Sequence, residues 1–331
     1  MGFTKPAARS KVRHMKMLIS ILVLAMALGC GSSDESNGAG NGGTGGAAGA
    51  GGAGGTGGQV FSTNPPLTIG GDERPADVEI PNDYDPTVSY PLLIVLHGFG
   101  ADGRTEAVYL QLFNVVDEKQ FVLVFPDGTL NQDDQRFWNA TPACCDPTDS
   151  VDDVAYLSGL IEAAKQTYNI DEKRVYLMGH SNGGFMSFTM ACEASELITA
   201  IVSFAGSTFE DPADCAPAAL PVSVLSVHGT ADGTIEYDGG ATGWGAYPGA
   251  LETVERFATS AGCDTGSPTV ESSVDLVPAL DGAETDRVGY STGCDEGIDA
   301  GLWTINDGPH VPFFSSEFAN MTTDWLFRHS R

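Results

Sequence analysis

Basic side chains are scarce in this sequence: Lys and Arg number 16 against 44 Asp and Glu, a formal net charge of −28. Five of the basic residues, Lys5, Arg9, Lys11, Arg13 and Lys16, crowd the start, so the chain from Cys30 onward holds 11 basic against 44 acidic residues, a net −33. Clustered positive charge is what grips phosphate, and its absence excludes nucleic acid and anionic lipid as partners. Metal-ligand spacings are missing too. There is no C-x-x-C pair and no H-E-x-x-H, so the expectation is no metal site and no cofactor. The one long apolar run, Met17 to Leu28, is too short for a permanent membrane span. Neither an internal repeat nor a second linker divides the remainder.

The start of the chain has the order of an export signal: basic residues, then the apolar run, then "ALGC" at 27–30. A small residue before Cys30 resembles a bacterial lipoprotein signal, in which that Cys is lipidated and becomes the mature N-terminus. Ala27 stands where Leu is usual, and ordinary secretion with a nearby cut is the alternative. Residues 1–29 are therefore read as the signal. Residues 30–59 are almost wholly Gly, Ala, Ser, Thr and Asn, cannot bury enough apolar surface to offset chain entropy, and read as a flexible linker reaching about 30 Å. Residues 60–331 are read as one domain, monomeric, touching a membrane only through the lipid anchor.

Apart from Cys30 there are six cysteines, an even set in an exported chain, which reads as disulfides. Cys263 and Cys294 bracket one irregular stretch and are expected to pair. A bond between the neighbours Cys144 and Cys145 would close a strained ring, so their expected partners are Cys192 and Cys215.

Within the domain, "PLLIVLHG" (91–98) and "FVLVFPDG" (121–128) are continuously apolar, the mark of strands covered on both faces. In 151–168, Val154, Leu157, Leu160, Ile161 and Ala164 recur at helical spacing behind acidic residues suited to a helix start. "RVYLMG", "TAIVSFAG", "PVSVLSVHG" and "GLWTIND" add strands, with helices beginning near Asn182 and Pro248. Alternating strands and helices predict an α/β fold with a mainly parallel central sheet and helices on both faces. Sites in such sheets form beyond the carboxyl ends of the strands.

"GHSNGG" (179–184) puts Ser181 between Gly179 and Gly183 where a strand turns into a helix. G-x-S-x-G is common by chance, but this context is the one in which it lifts a hydroxyl clear of the sheet. Serine needs a base, and the base a third group to orient it, in the chain order Ser, acid, His. Of the six histidines, His14 falls in the signal, His97, His180 and His228 stand at or before the wrong strand ends, and His329 lies in a terminal helix that reads as a surface cap. His310, in "DGPHVPF", remains. Asp232 in "HGTADG" follows the penultimate strand and is the expected acid, with Glu236 in reserve. Backbone N–H groups of Phe99 and Asn182 are the expected oxyanion donors, and His97 is read as holding the "HGFG" loop.

Taken in order, "LLIVLHGFG", "WNATPACCD", "VDDVAYL", "GHSNGGFMS", "HGTAD" and "GPHVPF" resemble the esterase family that includes polyhydroxybutyrate depolymerases, lpqC-like proteins and feruloyl esterases, across nearly all of residues 75–330. The resemblance implies an α/β-hydrolase serine esterase whose triad falls on Ser181, Asp232 and His310. It departs after the His, where the family's Trp-Pro is replaced by "HVPFF". The stretch from 205 to 222 leaves no room for a long lid, so an open site is expected, suited to a polymer-attached or bulky ester. Trp138 and Trp244, with Phe99, either line an aromatic acyl pocket for a hydroxycinnamoyl group or serve ordinary packing. A polyester chain would also fit, and a non-catalytic binding module on the same fold is a third reading.

Overall fold

Ten strands form the central sheet of the computed structural model, which describes residues 59–145, 150–215, 220–295 and 297–331. The signal, Cys30 and the linker up to residue 58 lie outside the described residues. In chain order the elements are β1 (Thr68–Ile69), β2 (Ala76–Glu79), β3 (Tyr90–Leu96), α1 (Gly103–Tyr109), the short α2 (Val116–Lys119), β4 (Val122–Phe125) and a small hairpin of β5 (Thr129–Leu130) and β6 (Arg136–Phe137). There follow α3 (Asp153–Thr167), β7 (Ile170–His180), α4 (Asn182–Glu193), β8 (Ala200–Phe204), β9 (Ser223–Gly229) and a second hairpin, β10 (Gly239–Ala241) with β11 (Ala246–Pro248). The chain closes with α5 (Ala250–Ser260), β12 (Thr269–Val274), β13 (Thr285–Tyr290), β14 (Ala300–Ile305) and α6 (Ser316–Phe327).

Sheet order is β1-β2-β4-β3-β7-β8-β9-β14-β13-β12. The six inner strands from β4 to β14 run parallel, while β1 and β2 on one side and β13 and β12 on the other add antiparallel edges. Strand side chains alternate between faces, and β3 shows the result. Leu92, Ile94 and Leu96 join one core with Leu157, Leu160, Ile161 and Ala164 of α3, Met186 of α4 and Val254 of α5. Leu93 and Val95 join the other with Ala107 of α1 and Phe318, Trp325 and Leu326 of α6. The fully buried runs in the sequence are thus the strands sandwiched between two helical layers. The antiparallel edges carried no such signal, because every residue of β12 except Val274 is exposed. The "VDDV" segment anchors locally. Asp152 caps α3 by accepting from the Ala155 N–H at 2.8 Å, and buried Asp153 pairs with Arg74 at 2.8 Å.

Two expectations need correction. Cys263 pairs with Cys294 as expected, but Cys192 pairs with Cys215, and Cys144 with its neighbour Cys145. The reason is α4. Cys144 rests against Asn182 at the helix start, its carbonyl 3.4 Å from the Asn182 amide nitrogen, whereas Cys192 lies near the far end of that helix, about 15 Å along its axis at 1.5 Å per residue. His329 is not on a surface cap. It lies just past α6 at 5% exposure, with Nε2 2.8 Å from Asp299 Oδ1 and its carbonyl accepting from the Tyr176 hydroxyl.

Candidate active site

At the end of β7 the chain turns sharply into α4 through Ser181, whose φ of 54° and ψ of −117° lie where a non-glycine residue costs about 1–3 kcal/mol. The flanking glycines make the turn possible. A Cβ on Gly179 would stand 2.0 Å from the Gly183 carbonyl oxygen, and one on Gly183 2.1 Å from that of Leu96. The Ser181 N–H donates to Phe204 O at 2.8 Å, tying the turn to β8. The hydroxyl is left at the positive end of a twelve-residue helix.

His310 and Asp232 arrive from the ends of β14 and β9, which pair in parallel. His310 Nε2 lies 3.0 Å from Ser181 Oγ and His310 Nδ1 2.7 Å from Asp232 Oδ2. The other Asp232 oxygen accepts from the N–H groups of Thr234 at 2.8 Å and Ile235 at 2.9 Å. Burial works to raise the Asp232 carboxyl, but hydrogen bonds from His228 and His310, the His310 charge and the Thr234 N–H outweigh it and hold the group well below the ordinary carboxylate range. His228, set aside in the sequence, sits beneath the acid with Nε2 3.3 Å from Asp232 Oδ2 and 2.9 Å from Ile235 O. Glu236 is exposed and joins none of this. A hydroxyl so placed can hand its proton to the imidazole while the carboxylate fixes the imidazole's tautomer.

Over Ser181 passes the segment after β3. A Cβ on Gly98 would stand 3.5 Å from that of Ser181. His97 is fully buried and knits the segment down. Its Nδ1–H donates to Gly98 O at 2.8 Å and its Nε2 accepts from the Gly128 N–H at 2.8 Å. Burial lowers its pKa, with the Gly98 hydrogen bond and nearby carboxylates opposing, so it serves as a neutral strut. Phe99 is exposed beside it. Asn182 is the first residue of α4, where the backbone N–H has no partner within the helix.

The two tryptophans part company. Trp138 is fully buried, its indole N–H donating to His97 O at 3.0 Å, so it braces the loop from beneath and cannot line an open pocket. Burying the ring removes the largest apolar surface in that segment from water, which decides its place. Trp244 is 54% exposed in the turn of the β10–β11 hairpin, next to Gly245, which packs on Pro142 and Ala143. Val311 and Phe313, just past His310, are also exposed, Phe313 at 84%. No sequence pattern points to Glu106, a carboxylate at 3% exposure on α1 that accepts from the Gly98 N–H at 3.2 Å. Among the described residues no group of three His, Cys, Asp or Glu is placed to hold a metal ion.

A hydroxyl, imidazole and carboxylate joined by hydrogen bonds at the carboxyl ends of a mainly parallel sheet define a serine hydrolase of the α/β-hydrolase fold. Residues 84–255, just over half of the chain, match the Phospholipase/Carboxylesterase family, and the chain belongs to it: it is a serine hydrolase of ester bonds. Feruloyl esterase D of Neurospora crassa is 25% identical over 311 residues, covering 90% of each chain. Feruloyl esterase B of Piromyces equi is 26% identical over 72% of this chain, which spans only 42% of that relative. Among solved structures, acetyl xylan esterase from Aspergillus awamori shares the fold, with a TM-score of 0.54 at 13% identity over 77% of this chain and 94% of that one.

Proposed function

We propose that this protein is an exported esterase that releases hydroxycinnamic acids, of the feruloyl type, from polymer-derived esters. Ser181 attacks the ester carbonyl as its proton passes to His310 Nε2, while Asp232 steadies the imidazolium through Nδ1. The oxyanion of the tetrahedral intermediate is met by the N–H groups of Phe99 and Asn182, each donor lowering the barrier by about 3 kcal/mol. His310 then returns the proton to the departing alcohol, leaving the acyl group on Ser181, and water activated by the same imidazole releases the acid.

The observation that carries this reading is the unbroken chain from Ser181 Oγ to His310 to Asp232 at 3.0 and 2.7 Å. The acyl preference is supported by the names of the relatives and by the exposed aromatic side chains of Phe99, Trp244 and Phe313. Export is supported by three disulfides, which persist outside the reducing cytosol. Residues 1–29 as signal, Cys30 as the lipidated residue, 30–59 as tether and 60–331 as the esterase domain complete the proposal.

Its test is hydrolysis of methyl ferulate, p-nitrophenyl acetate and a short hydroxybutyrate oligomer by the full chain, with Ser181→Ala as control. Methyl ferulate is expected to have the highest kcat/KM, and Ser181→Ala to lower kcat by roughly five to six powers of ten. Preference for the oligomer would transfer the protein to the polyester hydrolases, and a modest loss in Ser181→Ala would remove Ser181 as nucleophile.

A further inference from the structure

Two buried ionisable side chains beside the triad take no part in the steps above. Glu106 on α1 is 3% exposed and His180, the residue before Ser181, 7% exposed. Glu106 Oε2 accepts from the Gly98 N–H at 3.2 Å, while Oε1 has no hydrogen-bond partner and lies 3.7 Å from His180 Nδ1. His180 stacks on Phe204 with ring centroids 4.8 Å apart, and its Nε2 is 3.1 Å from the backbone oxygen of His310. Facing a carbonyl, that nitrogen carries the proton and donates it.

The end of α1, where Tyr109 is the last residue and Gln111 follows, braces the loop beyond His310 at two more points. The Tyr109 hydroxyl donates to Pro312 O at 2.9 Å, and Gln111 Nε2 to Phe314 O at 2.9 Å. All three contacts seize main-chain carbonyls, so they fix the path of the loop whatever its side chains are. Glu106 meanwhile holds the peptide just before the Phe99 N–H. A lone buried carboxylate is costly, and apolar replacements of buried charges are often neutral for stability. Stability alone is thus a poor reason for a glutamate here.

We propose that Glu106 and His180 are positioning residues: a polar bridge that sets the oxyanion loop, through Gly98, and the base loop, through the His310 carbonyl, at a fixed spacing around Ser181. The inference rests on the reading of Ser181 as nucleophile. A shift of about 1 Å in such a group can cost a hundredfold in rate. Glu106→Gln is the informative conservative change, because its amide oxygen can accept from Gly98 while its NH2 group donates to His180 Nδ1, leaving every polar atom of the bridge partnered.

The experiment measures kcat and KM on p-nitrophenyl acetate, inhibition by a trifluoromethyl ketone transition-state analogue, and thermal melting, for the full chain and for Glu106→Ala, Glu106→Gln, His180→Phe and Ser181→Ala. His180→Phe keeps an aromatic ring beside Phe204 and removes both the Nε2 donor to His310 O and the Nδ1 that faces Glu106. Expected are a fall in kcat of about ten- to a hundredfold in Glu106→Ala and His180→Phe, KM within about twofold, weakening of the analogue in step with kcat/KM, and recovery to within about threefold of the native kcat in Glu106→Gln. A folded His180→Phe protein with native kcat and native analogue affinity would overturn the proposal. So would Glu106→Gln falling as far as Glu106→Ala. If instead Ser181→Ala keeps its activity, the nucleophile assignment fails and the bridge with it, an outcome told apart by that variant alone.

Discussion

Asn182 holds both main-chain polar groups of Trp138 with one side-chain amide: its Oδ1 accepts from the Trp138 N–H at 2.7 Å and its Nδ2 donates to the Trp138 carbonyl at 2.9 Å. The residue next to Ser181 therefore does two separate jobs, its side chain pinning the 138–145 segment and its backbone N–H standing free at the start of α4. Replacing Asn182 by Ala leaves the backbone donor in place but strands the buried Trp138 N–H, while the Trp138 carbonyl keeps the Ala140 N–H at 3.0 Å. The expected loss is about 1–3 kcal/mol of stability, read by denaturant unfolding. The effect on kcat should be far smaller than that of Ser181→Ala.

Asp232 supplies the pH dependence. Hydrogen bonds and the His310 charge hold its carboxyl below its ordinary 3.8 in the folded protein against the pull of burial. A depressed folded pKa means that the native state binds its proton later than the unfolded chain does, so the stabilisation is full above the ordinary value and drains away as pH falls below it. The melting-temperature difference between the native protein and Asp232→Asn should be constant from neutral pH to about 5 and shrink below about 4. A difference that widened in acid would refute the assignment. At neutral pH the amide should lower kcat by about four powers of ten by favouring the wrong imidazole tautomer.

Gly183 tests the turn by sterics alone. Its Cβ would stand 2.1 Å from one main-chain oxygen, that of Leu96, and 2.8 Å from another, that of His97, with no flexible side chain to move aside. Gly183→Ala is expected to destabilise by about 3 kcal/mol, a drop of roughly 6–12 °C in melting temperature for a domain of this size. Gly159, where a Cβ meets nothing within 4 Å, is the control, and Gly159→Ala should melt at or slightly above the native temperature.

The longer disulfides carry a separate prediction. Cys192–Cys215 and Cys263–Cys294 close loops with separations of 23 and 31 residues, each worth about 3–4 kcal/mol in the chain-entropy account. Replacing either pair by serines should lower stability by that order. Peptide mapping of the unreduced protein should recover both links and no cross-link from residues 144–145 to 192 or 215.

The inner sheet was legible because strands buried on both faces must be written as continuous apolar runs, as at 91–96 and 223–228. The edges were not, because "TVESSV" at 269–274 buries almost nothing and is held by pairing with β13 and by ion pairs such as Arg287 with Glu271 at 2.8 Å. Ser181, Asp232 and His310 could be named from strand ends and chain order. Trp138 could not be told from Trp244, because both are tryptophans in irregular segments and only packing decides which is covered.

The strand–helix alternation, the glycine-bounded turn at Ser181 and the order of the three candidate residues can be read along the chain, because periodicity and steric limits act over a few neighbouring residues. Packing in three dimensions is what brings His310 to Ser181 across the sheet, Cys192 to Cys215, and Glu106 and His180 between the two loops around the hydroxyl. Those contacts join residues far apart in the chain, and their distances are set by how two helical layers close on one twisted sheet, which no local pattern encodes.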